Sequence, residues 1–123
     1  MKFTVPFDFI FDYLPAGIIV HRTFGMYYIY LNKKNMLIIR KLNKNLNLNG
    51  IWIATGLEHH ASLKTDVPSI ADFVLDNGKI HESGWQLLKE GHDDFEVAAI
   101  KICGLIAHGD GRIGKITAKS VLM

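Results

Sequence analysis

The chain contains one cysteine, three prolines and no apolar run that approaches the length of a membrane span. A single thiol, Cys103, cannot close an internal disulfide, which fits a reducing compartment. With no stretch of roughly 20 apolar residues, no membrane partner is expected. A secretion signal is not expected either, because Asp8 and Asp12 interrupt the N-terminal apolar residues and no small-residue cleavage site follows. These absences together lead to the expectation of a cytoplasmic protein.

The chemistry of known catalytic motifs is missing in the same way. Ser62, Ser69 and Ser83 have no nucleophile-elbow context, and no phosphate loop or dinucleotide glycine pattern occurs. The glycine run Gly109-Asp110-Gly111-Arg112-Ile113-Gly114 follows a helical pattern rather than a strand, so it reads as a helix cap and loop. Cys103 falls on the apolar face of a helix and reads as a small core residue rather than a nucleophile. No catalytic residues and no cofactor are therefore expected.

Six histidines raise the question of a metal. The densest cluster is Glu58-His59-His60, with Asp66, His81, His92, His108 and Cys103 elsewhere in the chain. Neighbouring residues on a helix point about 100° apart, so His59 and His60 cannot chelate as an i, i+4 pair would. Glu58, His59 and His60 remain weak candidates for a metal or small-ligand site. The expected arrangement puts one histidine of the pair against the sheet, hydrogen-bonded, and the other in solvent.

What the chain does have is a well-marked β pattern. At 123 residues it fits one domain, with 49% hydrophobic and 21% charged residues, the usage of an ordinary globular fold. Tyr27 to Leu31 and Met36 to Lys41 are two apolar and aromatic runs around an Asn-Lys-Lys-Asn turn, and they read as a hairpin. A strand from Ile18 to Thr23 precedes them, with a bend at Phe24-Gly25. Ile51 to Ala54 is apolar on both faces and reads as a central strand. Ile70 to Leu75 and Gly84 to Leu88 supply two more strands, separated by an Asp76-Asn77-Gly78 turn.

Three segments have helical spacing. Phe7, Ile10, Phe11 and Leu14 make residues 6–14 a short amphipathic helix ended by Pro15 and Gly17. Leu57 to Lys64 is a second, stopped by Pro68. The third runs from about Asp93 to His108 with Phe95, Ala98, Ala99, Ile102, Cys103 and Ile106 on one face, and Asp93 to Glu96 resembles a capping box. Strands grouped in runs argue for an α+β fold. The expected architecture is two layers, an antiparallel sheet of five to six strands with helices on one face, in the order α-β(3-4)-α-β(2)-α. Residues 1–123 form a single domain, in which 112–123 reads as a partly mobile tail.

The net charge of +2 conceals an uneven distribution. Residues 1–57 carry seven basic and two acidic side chains, 58–96 three basic and nine acidic, and 97–123 four basic and one acidic. Lys33, Lys34, Arg40, Lys41 and Lys44 fall in one segment without an acid. They make either a solvated, edge-protecting hairpin rim or a patch for phosphate groups, with Arg112 and Lys115 as further contacts. Tyr27, Tyr28 and Tyr30 beside these lysines also imitate a single-strand stacking platform.

The segment Arg22-Thr23-Phe24-Gly25-Met26-Tyr27-Tyr28-Ile29-Tyr30-Leu31, a short polar turn and Met36 to Ile39 resemble the R-x-F-G-x-(aromatic) signature of the N-terminal domain of TfoX/Sxy-type competence regulators. The element order is also similar to that superfamily, whose two-layer fold is shared with YjbR-like proteins and type III secretion chaperones. Trp52 to Thr55, Glu58 to Leu63, Gly84-Trp85, Asp93 to Glu96 and Gly109 to Lys115 resemble a stand-alone bacterial branch of TfoX-like proteins. The helical domain that follows in TfoX has no counterpart among these residues. The resemblance implies a non-enzymatic regulatory or protein-interaction module, with a protein partner or a homodimer, and it carries no catalytic residues. A nucleic-acid-binding domain using 33–44, and a small-ligand or metal site near His59 and His60, are the alternatives.

Overall fold

The computed structural model describes residues 5–75 and 77–123. Asp76, one corner of the expected turn, lies outside the described residues. After a 3-10 helix at Asp8–Asp12 come β1 (Ile19–Thr23), β2 (Met26–Leu31), β3 (Lys34–Arg40) and β4 (Gly50–Ile53). A 3-10 turn at Leu57–His59 leads into α1 (His60–Asp66), followed by β5 (Ala71–Asp72), β6 (Gln86–Lys89), α2 (Phe95–Ala107) and a 3-10 turn at Ser120–Leu122. The six strands form one antiparallel sheet in the order β1-β2-β3-β4-β6-β5. The expected α+β, two-layer architecture is the observed one.

Two tight turns build the β1-β2-β3 meander. Phe24 and Gly25 have φ of 54° and 76°, and Asn32 and Lys33 have φ of 52° and 63°, so both turns use the left-handed pairs whose twist matches a hairpin. The second turn is thus Asn32-Lys33, and Lys34 and Asn35 already belong to β3. A bulge interrupts the register of β2 and β3 between Ile29 and Tyr30 and leaves Met36 as the extra residue.

Alternation sends Tyr27, Ile29, Leu37, Ile39, Ile51, Ile53 and Leu88 to one face, where they pack under the helices. From α2 the same six residues named by the helical spacing are buried: Phe95, Ala98, Ala99, Ile102, Cys103 and Ile106. Burial pushes the Cys103 thiol up to about 12, which keeps it protonated and inert. Phe95 is gripped by Phe7 and Phe9, with ring centroids 4.9 and 6.3 Å away.

Three local expectations are corrected. Residues 6–14 do not form an α-helix, because Phe7 has φ of 56° and the turn that follows is a five-residue 3-10 helix. The capping box at Asp93 does not form: α2 begins at Phe95 behind Asp94, whose side chain makes no cap bond, and the Asp94 N–H donates to His92 Nδ1 instead. The segment expected as a mobile tail is docked. Lys115 pairs with Asn35 of β3 through both backbone groups, Gly114 N–H donates to the Ala54 carbonyl, and Ile113 and Ser120 are buried. Residues 113–115 thus run past the ends of β3 and β4, where the Ala54 N–H also donates to the Met36 carbonyl.

Candidate functional site

The basic candidates of the hairpin and the loop after it stand in different surroundings. Arg40 is 4% exposed: its guanidinium donates to the carbonyls of Lys44 and Asn45 and to Asn49 Oδ1, 2.7 to 3.0 Å away. It fastens the loop between β3 and β4, because five donors in a fixed fork can satisfy three acceptors that a loop leaves unpaired. Lys41 is paired with Glu90 and lies over the Phe7 ring. Lys33 donates to the Val121 carbonyl and Lys115 to the Ser83 carbonyl. Lys44 stands exposed on its loop.

Arg112 and Lys115 are instead brought together with two of the metal candidates. Glu58, His59, Glu82, Ser83, Arg112 and Lys115 line a polar cleft of about 440 Å³ at one end of the sheet. His59 Nε2 lies 3.5 Å from Glu58 Oε1. Arg112 grips Asp110 through Nε and Nη2 and reaches Asp66 Oδ2 at 2.7 Å. This fork holds the Asp110 carboxyl below the usual carboxylate range and raises the guanidinium further.

His60 belongs to a different environment. It is 8% exposed, and its Nε2 lies 2.7 Å from the Gly84 carbonyl, so that nitrogen carries the proton and donates. Its Nδ1 faces Gln86 Nε2 at 3.5 Å and Asp72 Oδ1 at 3.6 Å. Lys64 and Gln86 both donate to Asp72 and hold its carboxyl below the ordinary range, Lys64 first. The two histidines therefore divide as their angular separation requires, His60 against the sheet and His59 half-exposed. Among the described residues, no group of three His, Cys, Asp or Glu side chains is placed to hold a metal ion.

The feature that the sequence reading did not assemble is the second face of the sheet. Cross-strand partners share a face, which puts His21, Tyr28, Ile38, Trp52, Leu87 and Ala71 in one row across the sheet, away from α1 and α2. Over this row Ile38, Leu48, Trp52, Phe73, His81 and Trp85 shape an apolar groove of about 340 Å³. The rings are mutually engaged rather than laid open. Trp52 and Phe73 meet edge to face at 4.9 Å, Trp52 Nε1 donates to the Leu48 carbonyl, and Tyr28 stacks on Tyr30, which is 2% exposed. The signal was present in the alternation: Trp52, between two isoleucines that face the helices, has to face the other way.

On the same face stand His21, Arg40 and Lys89, since Arg40, Gly50 and Lys89 are cross-strand partners one step beyond Ile38, Trp52 and Leu87. Asp72 is the one carboxylate in the six strands, and it lies on the helix-covered face opposite Gln86. No family model, curated protein or solved structure matches the chain.

Proposed function

We propose that this protein is a non-enzymatic protein-interaction module, regulatory in the sense that its resemblance to the TfoX N-terminal domain implies, and that its partner docks on the open face of the sheet. The observation that carries the reading is the apolar groove formed by Ile38, Leu48, Trp52, Phe73 and Trp85 on a face whose charged or proton-binding strand residues are His21, Arg40 and Lys89. That chemistry fits a protein segment with an aromatic or aliphatic anchor and flanking carboxylates: the groove desolvates the anchor, and His21 and Lys89, rather than the enclosed Arg40, orient the acids. A stacking platform for bases would need free ring faces, whereas these rings are packed edge to face and stacked on one another.

Selection of a displayed random-peptide library on the immobilised protein tests the reading. Peptides with an apolar anchor beside Asp or Glu are expected. Their affinity should fall at least roughly tenfold with Trp85→Ala and stay unchanged with Lys101→Glu on the exposed side of α2, across the sheet from the groove. Failure to enrich such peptides, or binding indifferent to Trp85, overturns the proposal. So does tight binding of labelled single-stranded or duplex DNA at low salt that weakens steeply as salt rises, which would favour the nucleic-acid alternative.

A further inference from the structure

Two Asn-Gly pairs occur in the chain, Asn49-Gly50 and Asn77-Gly78, and the fold gives them opposite surroundings. An asparagine before glycine is open to attack on its side-chain amide by the next backbone nitrogen, because glycine has no Cβ to hinder the approach. Asn49 is denied that reaction. It is 4% exposed, its Oδ1 accepts from Arg40 and from the Leu42 N–H, and its Nδ2 donates to the Leu42 carbonyl. Gly50 is fixed in β4 between β3 and β6, so tightly that a Cβ there would lie 2.0 Å from the Leu88 carbonyl oxygen. Asn77, in contrast, is exposed, and the space a Cβ of Gly78 would take has nothing within 4 Å. The Lys79 N–H donates to Asn77 Oδ1 at 3.0 Å, which places a donor on the oxygen that gains charge when the amide carbon is attacked. The Gly78 N–H is held by the Leu75 carbonyl at 2.9 Å, but Val74, Leu75 and Lys79 around it are exposed too, and so thinly packed a turn opens locally with little free energy.

We infer that Asn77-Gly78 is a site of spontaneous deamidation in the folded protein, with water as the co-reactant, and that Asn49-Gly50 is protected. The Gly78 nitrogen gives up its proton to solvent base and bonds to Asn77 Cγ. The Cγ–Nδ2 bond then breaks, and Nδ2 leaves as ammonia after taking a proton from solvent. The five-membered succinimide that results is opened by water at either carbonyl. Opening at Cγ gives aspartate, and opening at the main-chain carbonyl gives isoaspartate, in which the backbone runs through the former side chain. The sum is amide plus water to carboxylic acid plus ammonia, with no change of oxidation state. The turn that is modified joins two residues of the groove: the His81 N–H donates to the Phe73 carbonyl, the Leu75 N–H to the Lys79 carbonyl, and Phe73 and His81 both line the apolar cavity. Isoaspartate lengthens this turn by a backbone carbon and adds a negative charge. On the docking reading above, it should loosen the hairpin and weaken binding of peptides that carry carboxylates.

Peptide mass spectrometry on the folded chain, sampled over days at mildly alkaline pH, tests this site by site. Asn77 should lose its amide at least roughly tenfold faster than Asn49, with both aspartate and isoaspartate as products. In concentrated urea the Asn49 rate should rise at least roughly tenfold while the Asn77 rate changes by less than about threefold, because only Asn49 is shielded by the fold. Asn77→Gln keeps an exposed amide but requires a larger ring, so position 77 should then stay unmodified. An Asn77 as durable as Asn49 in the folded chain, or one that urea accelerates as strongly as Asn49, overturns the inference. The effect on the groove is read separately, as the affinity of a selected peptide for the fresh chain and for the aged one. Equal affinity overturns that consequence alone, and a chain that selects no peptide sinks the docking reading while the mass measurement still decides the modification.

Discussion

Gly84 illustrates how much one residue can be asked to do by a contact distant in sequence. Its φ is 78°, and a Cβ placed there would lie 2.7 Å from the Leu57 backbone nitrogen and 2.8 Å from Gly56 Cα. The backbone of the Glu82–Trp85 segment and that of the turn leading to α1 touch through this missing side chain, and the Gly84 carbonyl then receives His60. Gly84→Ala combines left-handed strain with a backbone clash, and it should cost about 2–4 kcal/mol, read as a fall in the urea midpoint. Gly25, by comparison, could be read from the chain itself, because a Phe-Gly pair between two β runs states a turn locally. Nothing near Gly84 states the approach of Gly56. Likewise the spacing of His59 and His60 foretold that they would separate, but which of them turns inward depends on where the Gly84 carbonyl arrives.

At the scale of elements, legibility followed the length of the periodic pattern. The apolar face of α2 was readable residue by residue because its helical repeat is sustained, and the hairpin arms were readable because their apolar and aromatic runs are punctuated by a Phe-Gly bend and a polar Asn-Lys turn. The N-terminal segment has two turns of pattern at most, and it folds as a 3-10 helix that starts behind Phe7, whose φ is positive. The loop between β3 and β4 misled in another way. A run of five basic residues looks solvated, yet the loop folds back so that Arg40 is enclosed by the carbonyls of Lys44 and Asn45 and by Asn49. Arg40→Gln would leave those acceptors short of donors in a buried place and should destabilise the protein by about 2–3 kcal/mol in chemical denaturation. Arg40→Lys should recover little of this, since a single ammonium cannot span all three acceptors.

For the whole molecule, two carboxylate-centred clusters bear on its response to acid: one ties α1 to β5 and β6, and the other ties the loop after α2 to α1. Asp72 under Lys64 and Gln86, and Asp110 under Arg112, have folded pKa values below their ordinary value of 3.8. A carboxyl with a depressed folded pKa contributes stability in full above its unfolded value; the contribution shrinks as pH falls below about 3.8 and is lost once pH passes the folded value. Unfolding free energy should therefore drop as pH falls through this window. The double variant Asp72→Asn, Asp110→Asn should be less stable near neutrality and show a flatter acid limb, measured by urea titration at each pH. An unchanged acid limb would show that other carboxyls set it. The ties of Asp72 to Lys64 and Gln86 and of Arg112 to Asp66 were not legible in the sequence, since they join separate elements, whereas Asp110 and Arg112 stand two residues apart in one loop.

The docking of 113–115 between Asn35 and Ala54 has a bearing on how the chain is made. Translation delivers β1 to β4 before Gly114 and Lys115 emerge, so any sheet formed by then lacks the strands' partners at Asn35 and Ala54. The ordinary order of synthesis therefore makes closing that end a late event, and a ribosome paused before Ile113 would present an unfinished sheet to chaperones and proteases.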